Sequence, residues 1–128
     1  MKLMLDTHLL LWAAADNRQL SVTARTLIED RDNKLYFSAA CLWEVSIKHG
    51  LGREDFRADP RVLRRGLMDN GYHELPITSE HAVAVYALPP IHKDPFDRIQ
   101  VAQALIEGYT LLTTDPVVAK YPGPVREV

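Results

Sequence analysis

Four acidic residues stand where chemistry could use them. Asp6 closes the apolar run Leu3-Met4-Leu5, and Asp115 lies just beyond Thr110-Leu111-Leu112-Thr113. Glu44 sits among apolar neighbours in the segment Ala39 to His49, and Asp97 belongs to His92-Lys93-Asp94-Pro95-Phe96-Asp97-Arg98. Carboxylates packed together repel one another unless a cation neutralises them. Oxygen donors with no cysteine among them suit Mg²⁺ or Mn²⁺ rather than zinc. An ion of that kind orients a phosphodiester, offsets developing charge and lowers the pKa of an attacking water. The chemistry implied is metal-assisted phosphodiester hydrolysis. No serine–histidine–acid spacing, glycine-rich phosphate loop or dinucleotide fingerprint competes with it.

Each acid also has an ordinary explanation. Asp94 stands where an N-cap belongs, Pro95 suits the first helical position, and Asp97 falls at the third, facing the positive end of the helix dipole. Gly108 is the natural stop of that helix. Asp6 can cap the helix after its strand, and Glu44 can point to solvent. What distinguishes the readings is whether the elements bring the acids together.

Those elements alternate along the chain. Strands are expected at 3–5, 35–37, 72–77, 110–113 and 125–128. Helices are expected at 7–15, 22–30, 39–49, 60–70, from Thr78 or Ser79 to Tyr86, and from Pro95 to about Glu107. The last of these is apolar over much of its circumference, through Phe96, Ile99, Val101, Ala102, Leu105 and Ile106, and should be well buried. Pro89 and Pro90 forbid regular structure in the loop before it. Alternation of this kind calls for an α/β fold, with a mainly parallel central sheet and helices on both faces. Crossovers are right-handed, so the carboxyl ends of the strands share one rim. Asp6 and Asp115 lie at such ends, Glu44 on the helix leaving the strand that ends near Ser38, and Asp97 at the start of a buried helix. The four acids can therefore converge.

Composition sets the frame. The 128 residues make one domain, 1–128, with room for a core, and 47% hydrophobic with 25% charged residues is ordinary for a globular protein. A formal net charge of −2 announces no nucleic-acid partner globally. From Lys48 to Arg65, six basic side chains meet three acidic ones, a pattern open to a phosphate-facing surface or a solvated helical face. The single Cys41 excludes an internal disulfide and suits a small buried residue in a reducing compartment. Met1 to Leu5 is too short for a signal peptide, and no apolar run approaches a membrane span, so a cytoplasmic protein without a membrane role is expected.

The motifs, taken together, resemble PIN-domain ribonucleases, and specifically VapC-type toxins of bacterial toxin–antitoxin pairs. The resemblance is carried by Leu5-Asp6-Thr7-His8, by Ser38 to Lys48, by His92 to Arg98 with Ala102-Gln103-Ala104, and by Leu112-Thr113-Thr114-Asp115. It spans essentially the whole chain and implies a PIN-like three-layer α/β/α fold. The family's acidic quartet would fall on Asp6, Glu44, Asp97 and Asp115, as catalytic and metal-binding residues. Thr7, Ser38 and Thr114 match positions that tune the site or contact water, while Asp94 is a cap, an outer ligand or both. The resemblance further implies a Mg²⁺- or Mn²⁺-dependent endoribonuclease, an RNA substrate, a cognate antitoxin and a homodimer.

Two other readings fit some of these features. A Mg²⁺-dependent α/β phosphatase would use Asp6 as nucleophile, but needs a second acid two residues on, where this chain has His8. A non-enzymatic α/β binding module would use the acids only as caps.

Overall fold

Leu3, Met4 and Leu5 offer no polar face, and a strand of that kind belongs between two covering layers. The computed structural model, which describes all residues from Met1 to Val128, places them at the centre of a five-stranded sheet. Its strands are β1 (Lys2–Leu5), β2 (Lys34–Ser38), β3 (His73–Leu75), β4 (Thr110–Thr113) and β5 (Val125–Glu127), in the order β3-β2-β1-β4-β5. Every neighbouring pair is parallel. Leu3 lies opposite Leu35 on one side and Thr110 on the other, and Leu5 opposite Leu112.

Six α-helices connect and cover the strands: α1 (Thr7–Ala14), α2 (Val22–Glu29), α3 (Ala39–Gly50), α4 (Pro60–Asp69), α5 (Ser79–Ala84) and α6 (Pro95–Glu107). Side chains of a strand alternate between faces, and here the alternation divides the core in two. Leu3, Leu5, Phe37 and Leu112 pack with Leu9, Leu10, Ala24, Cys41, Val45, Leu63 and Leu67 of α1 to α4. Met4, Leu75 and Leu111 pack on the opposite face with Val101, Ala102 and Ala104 of α6 and with Val118 and Tyr121. The result is the expected three-layer α/β/α sandwich. No helix is long and apolar enough to cross a membrane.

Three elements differ from expectation, each for a local reason. β3 spans only His73–Leu75, not 72–77. The Tyr72 amide is already donated to Leu67 O in the turn that closes α4, and Pro76 has no amide to give. α5 stops at Ala84 and tightens into a 3₁₀ turn, Val85–Ala87. The carbonyls of Val85 and Leu88 there accept hydrogen bonds from Arg98 Nη2 at 3.1 and 3.4 Å. In α6 the fully buried positions include Gln100 and Gln103, while Leu105 and Ile106, expected inside, are exposed. Gln100 stays inside because Nε2 donates to Phe96 O (3.0 Å) and Oε1 accepts from Cys41 Sγ (3.4 Å). Gln103 Nε2 donates to Pro76 O at 3.3 Å. The helix does end at Gly108, whose φ of 72° is a left-handed C-cap that glycine adopts without strain.

Candidate functional site

The chain starts at the centre of the sheet, runs outward through β2 and β3, and returns on the other side of β1 through β4 and β5. That reversal opens a crevice beyond the carboxyl ends of β1 and β4, where open α/β sheets place their ligands. Asp6 is the first residue after β1. Its Oδ1 caps α1 by accepting the Leu9 amide at 2.9 Å, and its Oδ2 accepts from the Thr113 hydroxyl at 2.7 Å. Thr113 Oγ1 in turn accepts the Asp115 amide at 3.0 Å. The ends of the two central strands are thus tied together through side chains. Burial pushes the Asp6 carboxyl upward, opposed by the Thr113 hydroxyl, the Leu9 amide, the His8 charge and the Thr114 amide.

Glu44 comes from α3, which Ser38 caps by accepting the Ala40 amide at 3.0 Å. The glutamate is 4% exposed, so it points inward. A buried carboxylate needs donors, and Glu44 has two. The Thr7 hydroxyl donates to Oε1 at 2.6 Å, and Lys48 Nζ pairs with Oε2 one helical turn on. The ammonium of Lys48 is itself packed over the rings of Phe56 (4.9 Å) and Phe96 (5.7 Å). Lys48 is therefore a charge-balancing member of this site rather than part of a solvated basic face.

Asp97 and Asp115 complete the group. Asp94 Oδ1 caps α6 by accepting the Phe96 and Asp97 amides at 2.8 and 3.3 Å, with Pro95 at the first position. This sets Asp97 at the mouth of the crevice. Its carboxyl is pushed up to about 7, first by burial, then by the Asp94 charge, with Glu44 and Asp6 adding to the rise and His92 opposing it. Asp115 Oδ1 accepts the Val117 amide at 2.8 Å. Its Oδ2 lies 3.3 Å from His92 Nε2, which is 3.6 Å from Asp97 Oδ2. Donor atoms of His92, Asp97 and Asp115 all lie within 4.8 Å of one another, a spacing that one ion could bridge.

The four acids named from the sequence thus meet at one rim. Thr7 reaches Glu44 directly. Ser38 acts through its helix cap, and Asp94 caps α6 while raising Asp97 electrostatically. Thr114 contributes its amide; the hydroxyl that reaches Asp6 belongs to Thr113. His92 and Lys48 have no distinguishing sequence signal as site residues, since a lone histidine before a helix cap and a lysine four residues after a glutamate are both common surface features. Most of the remaining basic segment is paired locally: Arg53 with Asp55, Arg61 with Asp59 and Arg64 with Glu74. His8, at the position where a phosphatase needs its second acid, packs on Phe56 and lies 3.5 Å from Asp55.

The tie between the strands predicts a separation of the two threonines. Thr113→Val deprives Asp6 of a donor and the Asp115 amide of an acceptor inside a buried network. Stability should fall by about 1–3 kcal/mol. Thr114→Val removes a hydroxyl on which no side-chain hydrogen bond depends, and should stay within about 0.5 kcal/mol of wild type. Urea unfolding midpoints of the two variants check this; equal losses would contradict it.

Comparison with known proteins agrees with this architecture. A family model described as "PIN domain" matches residues 3–124. No curated protein matches the sequence. Among solved structures, a chain of VapBC2 from Rickettsia felis, bound to a fragment of its promoter DNA, is similar with a TM-score of 0.70 at 15% identity, covering 99% of this chain and 98% of that one. A toxin–antitoxin complex from Klebsiella pneumoniae is similar with a TM-score of 0.64 at 19% identity, covering 98% of each chain. The PIN domain endonuclease Utp24 is similar with a TM-score of 0.55 at 16% identity, covering 99% of this chain and 84% of that one. With four acids gathered beyond the carboxyl ends of a parallel sheet and a family match across nearly its whole length, the chain belongs to the PIN-domain family.

Proposed function

We propose that this protein is a Mg²⁺- or Mn²⁺-dependent endoribonuclease and the toxin of a VapC-type toxin–antitoxin pair. One observation carries the catalytic part. Four carboxylates, Asp6, Glu44, Asp97 and Asp115, gather at one rim, and Lys48 is the lysine paired with one of them. PIN domains are nucleases, which fits a site of this charge. The donor set matches a hard divalent ion, since it offers carboxylate oxygens at an open rim and no thiolate. Asp6, Asp97 and Asp115 would hold the ion, with Glu44 behind them. When bound, it would supply Lewis-acid stabilisation of a phosphodiester and acidify an attacking water.

The chain's own residues prepare the rest. Thr113 and the Leu9 amide fix both oxygens of Asp6, and Thr7 and Lys48 fix both of Glu44. No rotamer search is then needed when substrate arrives, which lowers the ordering cost at the moment of reaction. Lys48 and the α6 N-terminus offset negative charge beside the carboxylates.

An antitoxin partner is proposed from the likeness to the toxin–antitoxin complexes; RNA as substrate, a homodimer and a cytoplasmic setting are proposed from the motif resemblance to VapC-type ribonucleases. An antitoxin that seats an arginine or lysine on the acidic rim would satisfy the carboxylates and compete with the ion. Purified protein is expected to cleave single-stranded or looped RNA with Mg²⁺ or Mn²⁺ and to stop in excess EDTA. Sequencing of the RNA ends formed on expression without antitoxin identifies the target. Cleavage that persists in EDTA, or no cleavage of any cellular RNA, overturns the proposal.

A further inference from the structure

His92 stands between Asp97 and Asp115, and its place suggests a third ligand. Its ring nitrogens say otherwise. The Asp94 amide donates to His92 Nδ1 at 3.0 Å. A nitrogen that accepts an N–H carries no proton of its own, so in the neutral ring the proton is on Nε2. A flipped ring would set a C–H against that amide, so the assignment is internally consistent. Nε2 is the atom that faces the acids, 3.3 Å from Asp115 Oδ2 and 3.6 Å from Asp97 Oδ2. Coordination through Nε2 would require the proton to move to Nδ1, directly opposite the Asp94 N–H.

The backbone that carries the ring is fixed as well. The His92 amide donates to the Tyr121 hydroxyl at 2.9 Å, and that hydroxyl donates back to His92 O at 3.2 Å. Arg98 Nη1 donates to the same hydroxyl at 3.0 Å and to Pro89 O at 3.0 Å. The His92 backbone is thus held by Tyr121 and Arg98, and its ring by the Asp94 amide.

We infer that His92 is a positioning residue that presents an Nε2–H to Asp97 and Asp115, and that it is not a metal ligand. This role rests on the metal site proposed above, and it deepens it: the ion would meet oxygen donors alone. Imidazole is the donor that would favour zinc or nickel. By withholding it, the Asp94 amide keeps the site selective for hard ions. The Asp94 residue then has two outputs, a carboxylate that starts α6 and an amide that fixes a tautomer.

The test is a ¹⁵N spectrum of the five histidine rings, with the His92 signals assigned by their loss in His92→Gln. The expected His92 pattern is a bare Nδ1 and a protonated Nε2, both without metal and in saturating Mg²⁺. A protonated Nδ1 in either state overturns the inference. Mn²⁺ binding, followed by the loss of the free-ion electron paramagnetic resonance signal, gives a second readout. His92→Ala should weaken Mn²⁺ about 10-fold, as loss of an orienting partner does. His92→Gln, whose amide can donate from the Nε2 position, should recover most of that affinity; a loss as large as in the alanine variant, with wild type binding normally, counts against the donor role. Asp97→Asn distinguishes the two proposals. If it binds Mn²⁺ as wild type does, the metal-site reading fails, and the metal-free tautomer alone decides the role of His92.

Discussion

Asp97→Asn should lower metal-dependent RNA cleavage by at least about 10²- to 10³-fold, the scale seen when one electrostatic element of a preorganised site is removed. The substitution keeps the volume of the side chain and its place in the first turn of α6, so the helix should remain intact. Asp94→Asn supplies the contrast. Asparagine caps a helix as well as aspartate does, and the Asp94 amide that reaches His92 belongs to the backbone. Asp94→Asn should therefore keep much more activity. It also removes the neighbouring charge named after burial among the causes that raise Asp97, so any activity change should appear as a shift of the pH profile toward lower pH. Initial cleavage rates across pH for both variants check this. Equal and large losses would show that the Asp94 carboxylate itself serves the ion.

The second large effect is on stability. In metal-free protein the Asp97 carboxyl stands at about 7, against an ordinary value of 3.8. The folded state therefore binds more protons than the unfolded chain between about pH 4 and pH 7, and stability must fall as pH rises through that window. At about 1.4 kcal/mol per pKa unit, and with 23% of the side chain still open to solvent, the cost above pH 7 is on the order of 2–4 kcal/mol. Asp97→Asn removes that ionisation. In EDTA at pH 8 it should melt roughly 5–15 °C above wild type, and it should lose most of the decline between pH 4 and pH 7. Mg²⁺ at about 100 times its dissociation constant should restore nearly 3 kcal/mol to wild type and much less to the variant. A variant that melts lower than wild type in EDTA, and gains equally from Mg²⁺, would show that the acids do not share a site. The charges of Asp94, Glu44 and Asp6 that add to the rise of Asp97 are the ones this substitution relieves.

What the sequence reveals here follows from how locally each feature is encoded. Apolar runs that end in Asp6 and beyond Thr113 mark β1 and β4, because a central strand needs apolar side chains on both faces. The start of α6 is written in Asp94-Pro95, two residues with opposite but compatible demands on the backbone. The acidic group is legible because topology alone sends strand ends to one rim. The features that escape are set by distant partners. Arg98 ends α5 early from thirteen residues away, by taking the Val85 carbonyl. Gln100 and Gln103 lie inside where Leu105 and Ile106 do not: the Gln100 amide is paired at both ends, with Cys41 and Phe96, and the Gln103 Nε2 with Pro76 O. The choice of Thr113 over Thr114 depends on which face of β4 meets Asp6, and pleat direction is invisible in a run of four apolar and hydroxyl residues. The tautomer of His92 depends on a single backbone amide. Burial pushes the Cys41 thiol up to about 12, so it stays protonated and donates to Gln100 beneath the site.

The bond from Thr113 to Asp6 joins residues 107 positions apart, and β1 has β4 as one of its two neighbours. Asp97 and Asp115 likewise lie far along the chain from Asp6. A product that stops before Thr110 lacks both the second neighbour of its central strand and one of its four acids. Long-range parallel pairing of this kind also folds slowly. The acidic group therefore depends on one of the longest-range contacts in the chain.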